Sequence, residues 1–249
     1  MDTPVSAVII THNAARQIAD CLHSLSFVSE ILILDSGSDD ETENIAASYK
    51  ARFEHQDWLG YGPQKQKAVE LAKYDWVLCL DADERISEEL AVSIQAALKN
   101  PDYQAFQFPR CNRFMGRWLR HGEGYPDISV RLFNRNVANW SDDAVHEVVQ
   151  TGVPTGTLEG DLLHDSASSL DSYLEKQNHY TGLQAEKMYL AGKRAGVGKL
   201  IFNPLFRFFK FYLFRLGFLD GVPGLVHILI GCQNTFLKYA KLIALQQKE

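Results

Sequence analysis

About the first hundred residues alternate between short apolar runs and amphipathic helical patterns. Four runs of strand type are predicted at Val5–Ile10, Glu30–Leu34, Arg52–His55 and Trp76–Leu80. Helical patterns follow these runs, and Asn13 and Ser87 are expected to cap the first and the last helix. Because strands that alternate with helices pair in parallel, the pattern predicts a mostly parallel sheet covered by helices on both faces.

After Asn100 the pattern changes to shorter, mixed strands and then to helices. The strands are predicted at Gln104–Phe108, Ile128–Asn134 and Thr155–Leu163. A long helix is predicted at Leu170–Ala191. Two strongly apolar helices are expected to follow: the first begins at Asn203-Pro204, and the second covers Leu225–Leu245. We therefore expect an α/β domain over residues 1–165 and a helical region over residues 166–249.

Charge is unevenly distributed along the chain. The formal net charge of −6 argues against nucleic acid as the main partner. The segment from Lys193 to the C-terminus nevertheless holds nine Lys and Arg residues against two Asp and Glu residues, so the remaining chain is strongly acidic. A basic tail on an acidic body suggests that the tail faces an anionic surface.

The apolar helix expected after Asn203 combines phenylalanines with three cations. Arg207, Lys210 and Arg215 fall within an arc of roughly 140° on a helical projection. Since no stretch reaches the ~18 uncharged apolar residues that a membrane span requires, we expect this amphipathic helix to lie peripherally on an anionic membrane. A core-packing helix or a dimer interface would also fit. The N-terminus lacks the features of a signal peptide, which predicts the cytoplasmic side of the membrane.

Polar side chains follow three of the predicted strands, namely Thr11, Asp35 and the pair Asp81 and Asp83. Ligands of parallel sheets bind at the carboxyl ends of the strands. Two carboxylates at positions i and i+2 would repel each other unless a cation neutralises them. Carboxylates and phosphates are the ligands that Mg²⁺ and Mn²⁺ prefer, so the pair predicts such a site. A solvated turn before the helix capped by Ser87 is the alternative.

Several segments, in this order, resemble glycosyltransferase family 2. The first four are SAVIITHN, ILILDSGSDDET, GYGPQKQKA and WVLCLDADE, and the later ones are DISVRLFNR, AVHEVV and LFRFFKFYLFRLGFLDGVPGL. The first group is similar to the family as a whole, and the second is similar to the lipopolysaccharide-core β-1,4-glucosyltransferases of the WaaE/KdtX type. The resemblance covers nearly the whole chain and implies the GT-A fold, a Rossmann-like nucleotide-sugar domain.

The resemblance also implies roles in binding a UDP-sugar. Thr11 and Asp35 are expected to hold the uracil ring, although a capping Thr and a turn-forming Asp would fit the same positions. Lys65 stands where many relatives have arginine, near the diphosphate, and keeps the charge but not the two-pronged donor of arginine. Asp81 is expected to reach both the ribose and the metal.

The remaining roles concern the metal and the base. The resemblance makes Asp83 a direct metal ligand and His164 a third one, although a lone histidine is also often structural. It implies an inverting displacement, in which one carboxylate takes the proton of the acceptor hydroxyl while Mg²⁺ or Mn²⁺ stabilises the departing diphosphate. Glu147 is the first candidate for that base and Asp127 the second. A salt bridge from Glu147 to Arg131 is the structural alternative.

The expected function is transfer of a sugar, glucose from UDP-glucose in the first instance, to a membrane-anchored glycolipid such as the lipopolysaccharide inner core. Another nucleotide sugar or a polyprenyl-phosphate acceptor remains an alternative within the same enzyme class. A nucleotidyltransferase would share the sheet and the metal, but its Gly-rich phosphate loop is not found at Thr11–Arg16. A membrane-interaction protein without activity would leave the polar strand ends unexplained.

Overall fold

A computed structural model describes residues 3–142, 147–166 and 169–247 of the chain. The chain forms two compact units. The first contains the chain up to Arg110 and from Asp127 to Asp165, and the second contains Cys111–Pro126 and the chain from Ser166 onwards. The segment Cys111–Pro126, which the sequence-based division includes in the first domain, is thus grouped with the C-terminal helices.

The first unit is built around one twisted sheet. The sheet contains β1 (Val5–Thr11), β2 (Glu30–Asp35), β3 (Arg52–His55), β4 (Trp76–Asp81), β5 (Glu84–Ile86), β6 (Ala105–Phe114, which continues into the second unit), β8 (Asp127–Asn134), β11 (Thr155–Thr157) and β12 (Leu162–His164). Two further strands of the unit, β9 (Ala138–Trp140) and β10 (Val149–Thr151), pair with each other in a separate two-stranded sheet. The helices of the unit are α1 (Ile18–His23), α2 (Thr42–Ser48), α3 (Tyr61–Leu71) and α4 (Glu88–Lys99). The strand–helix alternation expected from the sequence is present.

The sheet has the strand order β3-β2-β1-β4-β8-β6-β12-β5. Strands β1 to β4 pair in parallel, whereas β8 runs antiparallel to both β4 and β6. Residues of β1 alternate between two apolar clusters, with Ala7 and Ile9 in one and Val8 in the other. A strand buried on both faces explains why this run is continuously apolar. The register places Thr11 beside Asp35, and Ile10 beside Asp81, at one edge of the sheet.

Two details of the first unit differ from the sequence-based expectation. Asn13 does not cap α1; its Oδ1 accepts a hydrogen bond from the Asp39 amide at 2.9 Å, because the loop after β2 competes for it. The predicted strand Thr155–Leu163 is broken into β11 and β12 at Gly160, which has a φ of +93°. A Cβ at Gly160 would lie 2.3 Å from the Leu90 amide nitrogen, so this close turn requires glycine.

The second unit contains mainly helices. It comprises the short strand β7 (Arg117–Trp118), the helices α5 (Leu170–Leu190), α6 (Val197–Phe208) and α7 (Gly221–Gln246), a π-helical turn (Phe209–Phe214) and a 3₁₀ turn (Gly217–Asp220). Contrary to expectation, α6 begins six residues before Asn203, and Pro204 lies inside it. Apolar residues at helical spacing, Val197, Ile201 and Leu205, continue past the proline and explain the longer helix.

The cations of α6 and the following turn point differently from the sequence-based projection. The Arg207 guanidinium donates to Glu123, with Nε to Oε2 at 2.9 Å, and to Thr235 Oγ1 at 2.8 Å. Arg215 donates to the Tyr125 carbonyl at 2.9 Å. Two of the three cations expected to face lipid therefore tie this helix to the rest of its own unit.

Apolar side chains cover the outside of the same segment. Every residue of α6 and of the π-helical turn is at least partly exposed. We call the exposed apolar residues of this segment the apolar ridge: Val197, Ile201, Phe202, Leu205, Phe206, Phe209, Leu213 and Phe214. Within the described ranges no single helix is long and apolar enough to cross a bilayer. By length and composition alone, a bilayer could be crossed by one pair of helical segments, Val197–Phe214 and Gly217–Gln246, with a bend of 74° between them.

Candidate active site

Thr11 and Asp35 meet where β1 and β2 end. The Thr11 hydroxyl donates to Asp35 Oδ1 at 2.8 Å, and both residues are buried. Asp35 Oδ1 also accepts from the Ser38 hydroxyl at 2.5 Å, and Oδ2 accepts from the amides of Gly37 and Ser38 at 2.8 and 2.7 Å. The carboxylate thus holds the loop after β2 in a tight turn.

The four donors set the charge of Asp35. Burial alone raises its pKa, but the hydrogen bonds from Ser38, Thr11 and Gly37 outweigh burial and lower it. A carboxylate has about four acceptor positions, so those of Asp35 are filled within the protein. The turn-forming role considered for Asp35 is therefore present, and an additional donor would require the Thr11 or Ser38 hydroxyl to rotate away.

Asp81 lies between two cations at the end of β4. Lys65 Nζ is 3.0 Å from Asp81 Oδ1 and 3.3 Å from Oδ2, and Arg131 Nη2 is 3.5 Å from Oδ2. Burial by itself raises the pKa of Asp81, but the charges of Lys65 and then Arg131 hold the pKa of that carboxyl well below its usual range. Asp81 is therefore ionised, and its charge is balanced by the protein.

Glu84 binds both Asp81 and its cationic neighbour Arg131, although no role was predicted for it from the sequence. Its side chain is fully buried, its Oε2 accepts from the Asp81 amide at 2.9 Å, and its Oε1 lies 3.2 Å from Arg131 Nη2 and 3.5 Å from Arg110 Nη1. Although burial disfavours the charged form of Arg131, Glu84 and Asp81 raise its pKa above the ordinary value. Glu84 directly follows the Asp81-Ala82-Asp83 motif, and this position is the signal by which the sequence could have identified it as a site residue.

Asp83 contacts His164 rather than the cations that hold Asp81. Strand β12 pairs with β5 so that His164 lies opposite Glu84, and its Nε2 is 3.2 Å from Asp83 Oδ2. Burial lowers the pKa of His164, but the hydrogen bond and charge of Asp83 outweigh burial and raise it. Both side chains remain about a quarter exposed. No group of three or more His, Cys, Asp or Glu residues in the described part of the chain is arranged around a metal position.

The two candidate bases have different partners. Glu147 Oε1 accepts from Lys65 Nζ at 2.9 Å, so Lys65 replaces Arg131 as the expected salt-bridge partner. Asp127 Oδ2 accepts from Arg110 Nε at 2.9 Å and Nη2 at 2.7 Å. The structure thus brings together Lys65, Asp81 and Glu147. Asp143, another carboxylate and four positions before Glu147 in the sequence, lies outside the described residues.

Comparisons with known proteins agree with the motifs. The family model described as glycosyl transferase family 2 matches residues 6–151. The lipopolysaccharide core biosynthesis glycosyltransferase LpsC of Rhizobium meliloti (strain 1021) is 32% identical over 248 residues, which cover 96% of this chain and 92% of LpsC. A glycosyltransferase of Rickettsia bellii (strain RML369-C) is 31% identical over 257 residues, which cover 96% of this chain and 85% of that protein.

A solved structure agrees with the fold. Residues 1–349 of S. aureus TarS, crystallised in complex with UDP, match with a TM-score of 0.50 and 15% identity, covering 99% of this chain and 92% of that one. The mixed α/β architecture with its curled central sheet and C-terminal helices is therefore GT-A, as the motifs implied. Family model, full-length relatives and fold agree: the chain belongs to glycosyltransferase family 2.

Proposed function

We propose that this family 2 enzyme is an inverting transferase that moves one sugar, glucose from UDP-glucose in the first instance, to a membrane-anchored glycolipid. The observation that carries the proposal is the cluster of Lys65, Asp81 and Glu147 beside the Asp83–His164 pair at the strand ends. The cluster contains a cationic side chain that can bind a diphosphate, carboxylates that can hold a metal cation, and a carboxylate that can accept a proton.

In this proposal the uracil ring of the UDP-sugar lies at the corner formed by Thr11 and Asp35. The base N–H donates to Asp35 Oδ1 after the Ser38 hydroxyl, now 2.5 Å from that oxygen, has rotated away. The displaced hydroxyl is then free to donate to a base carbonyl. UDP is the nucleotide that the family resemblance implies and the one bound to TarS.

The chemistry of the donor set fits a divalent cation. The carboxylate oxygens of Asp81 and Asp83 suit Mg²⁺ or Mn²⁺. The His164 imidazole, already 3.2 Å from Asp83, offers a nitrogen ligand beside this pair. Asp83 and His164 would hold the cation, and Asp81 would join them by giving up its contact with Lys65. A bound cation would stabilise negative charge on the departing diphosphate. Lys65, released from Asp81, would bind a diphosphate oxygen.

Glu147 is the proposed base for the acceptor hydroxyl. Its side chain is about one-fifth exposed and bonded to Lys65 at 2.9 Å. Once Lys65 binds the diphosphate, the Glu147 carboxylate is available to accept the proton of the acceptor, which attacks in line at the anomeric carbon. Asp127 stays the second candidate, held 2.7 Å from Arg110.

The acceptor is inferred from the relative LpsC, whose name assigns it to lipopolysaccharide core biosynthesis. A lipopolysaccharide inner core is accordingly the first acceptor to test, and a polyprenyl-phosphate sugar the second. Both are lipid-linked, so we propose that the enzyme works peripherally on the inner face of the cytoplasmic membrane. The apolar ridge supports this location, because an exposed apolar surface of this extent marks an interaction site.

Lipid rather than protein is the proposed partner of the apolar ridge. The sequence contains no Asp or Glu between Glu186 and Asp220, while Lys193, Arg194, Lys199 and Lys210 lie within that stretch. Such a segment is attracted to anionic lipid at about 1 kcal/mol per cation near the surface. The phenylalanines then enter the headgroup region. In this proposal burial of the phenylalanines contributes more to membrane binding than the attraction between the cations and the lipid does.

Removing three phenylalanines of the apolar ridge should release the protein from membranes. Phe202, Phe206 and Phe214 are 69%, 68% and 80% exposed, so their replacement by serine removes little packing from the fold. We expect sedimentation with phosphatidylglycerol vesicles to fall by more than about tenfold, since burying each ring contributes about 1.5–3 kcal/mol. UDP binding in solution should stay at the wild-type level.

A matched control uses exposed apolar residues of the first unit. Replacing Tyr49, Val92 and Val137 with serine should leave vesicle binding unchanged. Vesicle binding by the ridge variant at the wild-type level would place the lipid contact elsewhere. A change of oligomeric state in that variant, measured by light scattering, would instead identify the ridge as a dimer interface.

Titration of UDP by calorimetry tests the proposed donor. We expect UDP to bind at least about tenfold more tightly with Mn²⁺ than with EDTA, because a cation held by Asp83 and its neighbours would attract the negatively charged diphosphate. ATP and CTP serve as controls for base selection at the Thr11–Asp35 corner. Preference for another nucleotide would indicate a different nucleotide sugar or a nucleotidyltransferase, and equal affinity with and without the cation would remove the metal from the proposal.

A further inference from the structure

Trp140, at the end of β9, contacts two elements of the first unit that supply proposed site residues, β4 and α3. It is 4% exposed. Its indole Nε1 donates to Cys79 Sγ at 3.4 Å, two residues before Asp81 on β4. Its backbone amide donates to Gln66 Oε1 at 3.0 Å, next to Lys65 on α3. It also lies directly before the segment that leads to Glu147.

Two cations lie against the indole ring. Lys65 Nζ is 4.8 Å from the ring centroid, and the Arg131 guanidinium carbon is 5.4 Å from it. Both distances are within the range of a cation–π interaction, which tryptophan provides best among the aromatic side chains. Like charges at such a site repel each other, so the ring adds an attraction that favours keeping both of them there.

The ring also accounts for the incomplete hydrogen bonding of Arg131. Its Nε and Nη1 atoms are buried and have no hydrogen-bond partner among the residues that the structure describes. Buried donors without partners are unfavourable, and a charged group is the most costly case. The negatively charged face of the indole ring is the neighbouring group that offsets this cost.

We propose that Trp140 is a positioning residue that holds Lys65 and Arg131 where they meet Asp81, and so keeps Lys65 in place for the donor diphosphate. The inference rests on the proposed function, since it assumes that Lys65 binds the diphosphate. Without the ring, the flexible Lys65 side chain would sample other rotamers, and the donor would bind less tightly. An ordinary core residue would instead affect stability alone.

The test combines tryptophan substitutions with removal of the lysine charge. UDP affinity in the presence of Mn²⁺ is measured by calorimetry for Trp140→Phe and Trp140→Leu, each in the wild-type and the Lys65→Gln background. We expect Trp140→Leu to weaken UDP binding about tenfold in the wild-type background and threefold or less in Lys65→Gln, because a ring that acts through Lys65 loses its effect without it. Trp140→Phe, which keeps a ring, should stay within about threefold of wild type.

Trp76→Leu provides a matched loss of a buried tryptophan. Trp76 is 5% exposed, begins β4 and packs against Phe106 with ring centroids 5.9 Å apart, far along the strand from Asp81. It should lower the melting temperature as Trp140→Leu does, yet leave UDP affinity unchanged. Should Trp140→Leu fail to fold, Trp140→Met and Trp140→Phe carry the same comparison.

The outcomes separate this inference from the proposed function. Wild-type protein that does not bind UDP overturns the proposed function itself. Wild-type protein that binds UDP, together with a Trp140→Leu variant of equal affinity, overturns the positioning role alone. Equal losses from Trp140→Leu in both backgrounds would also overturn it, because the ring would then act independently of Lys65.

Discussion

Replacing Glu147 with glutamine is expected to lower kcat by about 10² to 10⁴ while leaving UDP affinity at or above the wild-type level. The amide keeps the shape of the side chain and can still accept a hydrogen bond from Lys65, now 2.9 Å from Oε1, but it cannot take a proton. Losing the negative charge also frees Lys65 for the diphosphate, so any change in UDP affinity should be an increase. Single-turnover rates and calorimetry measure the two effects separately.

Asp127→Asn is the matched control, because it removes a carboxylate that is bonded to Arg110 rather than to Lys65. It should leave the chemical step largely intact. An unimpaired rate in Glu147→Gln, together with a strong loss in Asp127→Asn, would transfer the role of base to Asp127. A loss of UDP affinity in Glu147→Gln would place Glu147 in the donor site.

Asp83→Ala is expected to abolish turnover and to remove the effect of Mn²⁺ on UDP affinity while the fold stays intact. Asp83 is about a quarter exposed and contacts His164 at 3.2 Å, so the substitution removes a proposed ligand without opening the core. Steady-state transfer rates and calorimetry with and without Mn²⁺ provide the measurements. A variant with more than about a tenth of wild-type activity, a deficit of only ~1.4 kcal/mol, would contradict the assignment.

Asp75→Ala is a suitable comparison for Asp83→Ala. Asp75 precedes β4 at the opposite end of the strand, is mostly exposed and pairs with Arg135 at 3.4 Å. Its replacement should change neither turnover nor the response to Mn²⁺. A similar loss in both variants would show that the effect comes from general destabilisation of β4 and not from a cation site.

The strand ends were predictable from the sequence because local patterns determine them. The apolar runs of β1, β2 and β4 end at Thr11, Asp35 and Asp81, and parallel pairing then brings these ends to one edge. The Asp-Ala-Asp spacing was equally visible. The family resemblance supplied the roles, which no local pattern contains.

The partners of these residues were not predictable, because they come from distant parts of the chain. Lys65 reaches Glu147 across 82 positions, and Trp140 reaches Cys79 across 61. Nothing near Asp81 in sequence indicates that Arg131 lies beside it. The Arg131 contact follows from sheet order, in which β8 is placed next to β4.

The partners of Arg207 and Arg215 were not predictable for a related reason. A helical projection treats the helix as isolated, and in isolation Arg207 and Arg215 belong on the polar face that contacts lipid headgroups. The segment Cys111–Pro126 supplies Glu123 and the Tyr125 carbonyl, which accept hydrogen bonds from Arg207 and Arg215. Arg207 and Arg215 are thus bonded within their own unit, while the phenylalanines of the apolar ridge are exposed.

Transfer of sugar by the purified protein is the measurement that tests the account most directly. The protein is incubated with Mn²⁺, a panel of UDP- and dTDP-sugars and a lipopolysaccharide inner-core acceptor, and the products are identified by mass spectrometry and NMR. We predict that a single hexose is transferred from a UDP-sugar with inversion at the anomeric carbon, and that EDTA stops the reaction. Retention of the anomeric configuration, or transfer of a nucleotidyl group in place of the sugar, would contradict the account.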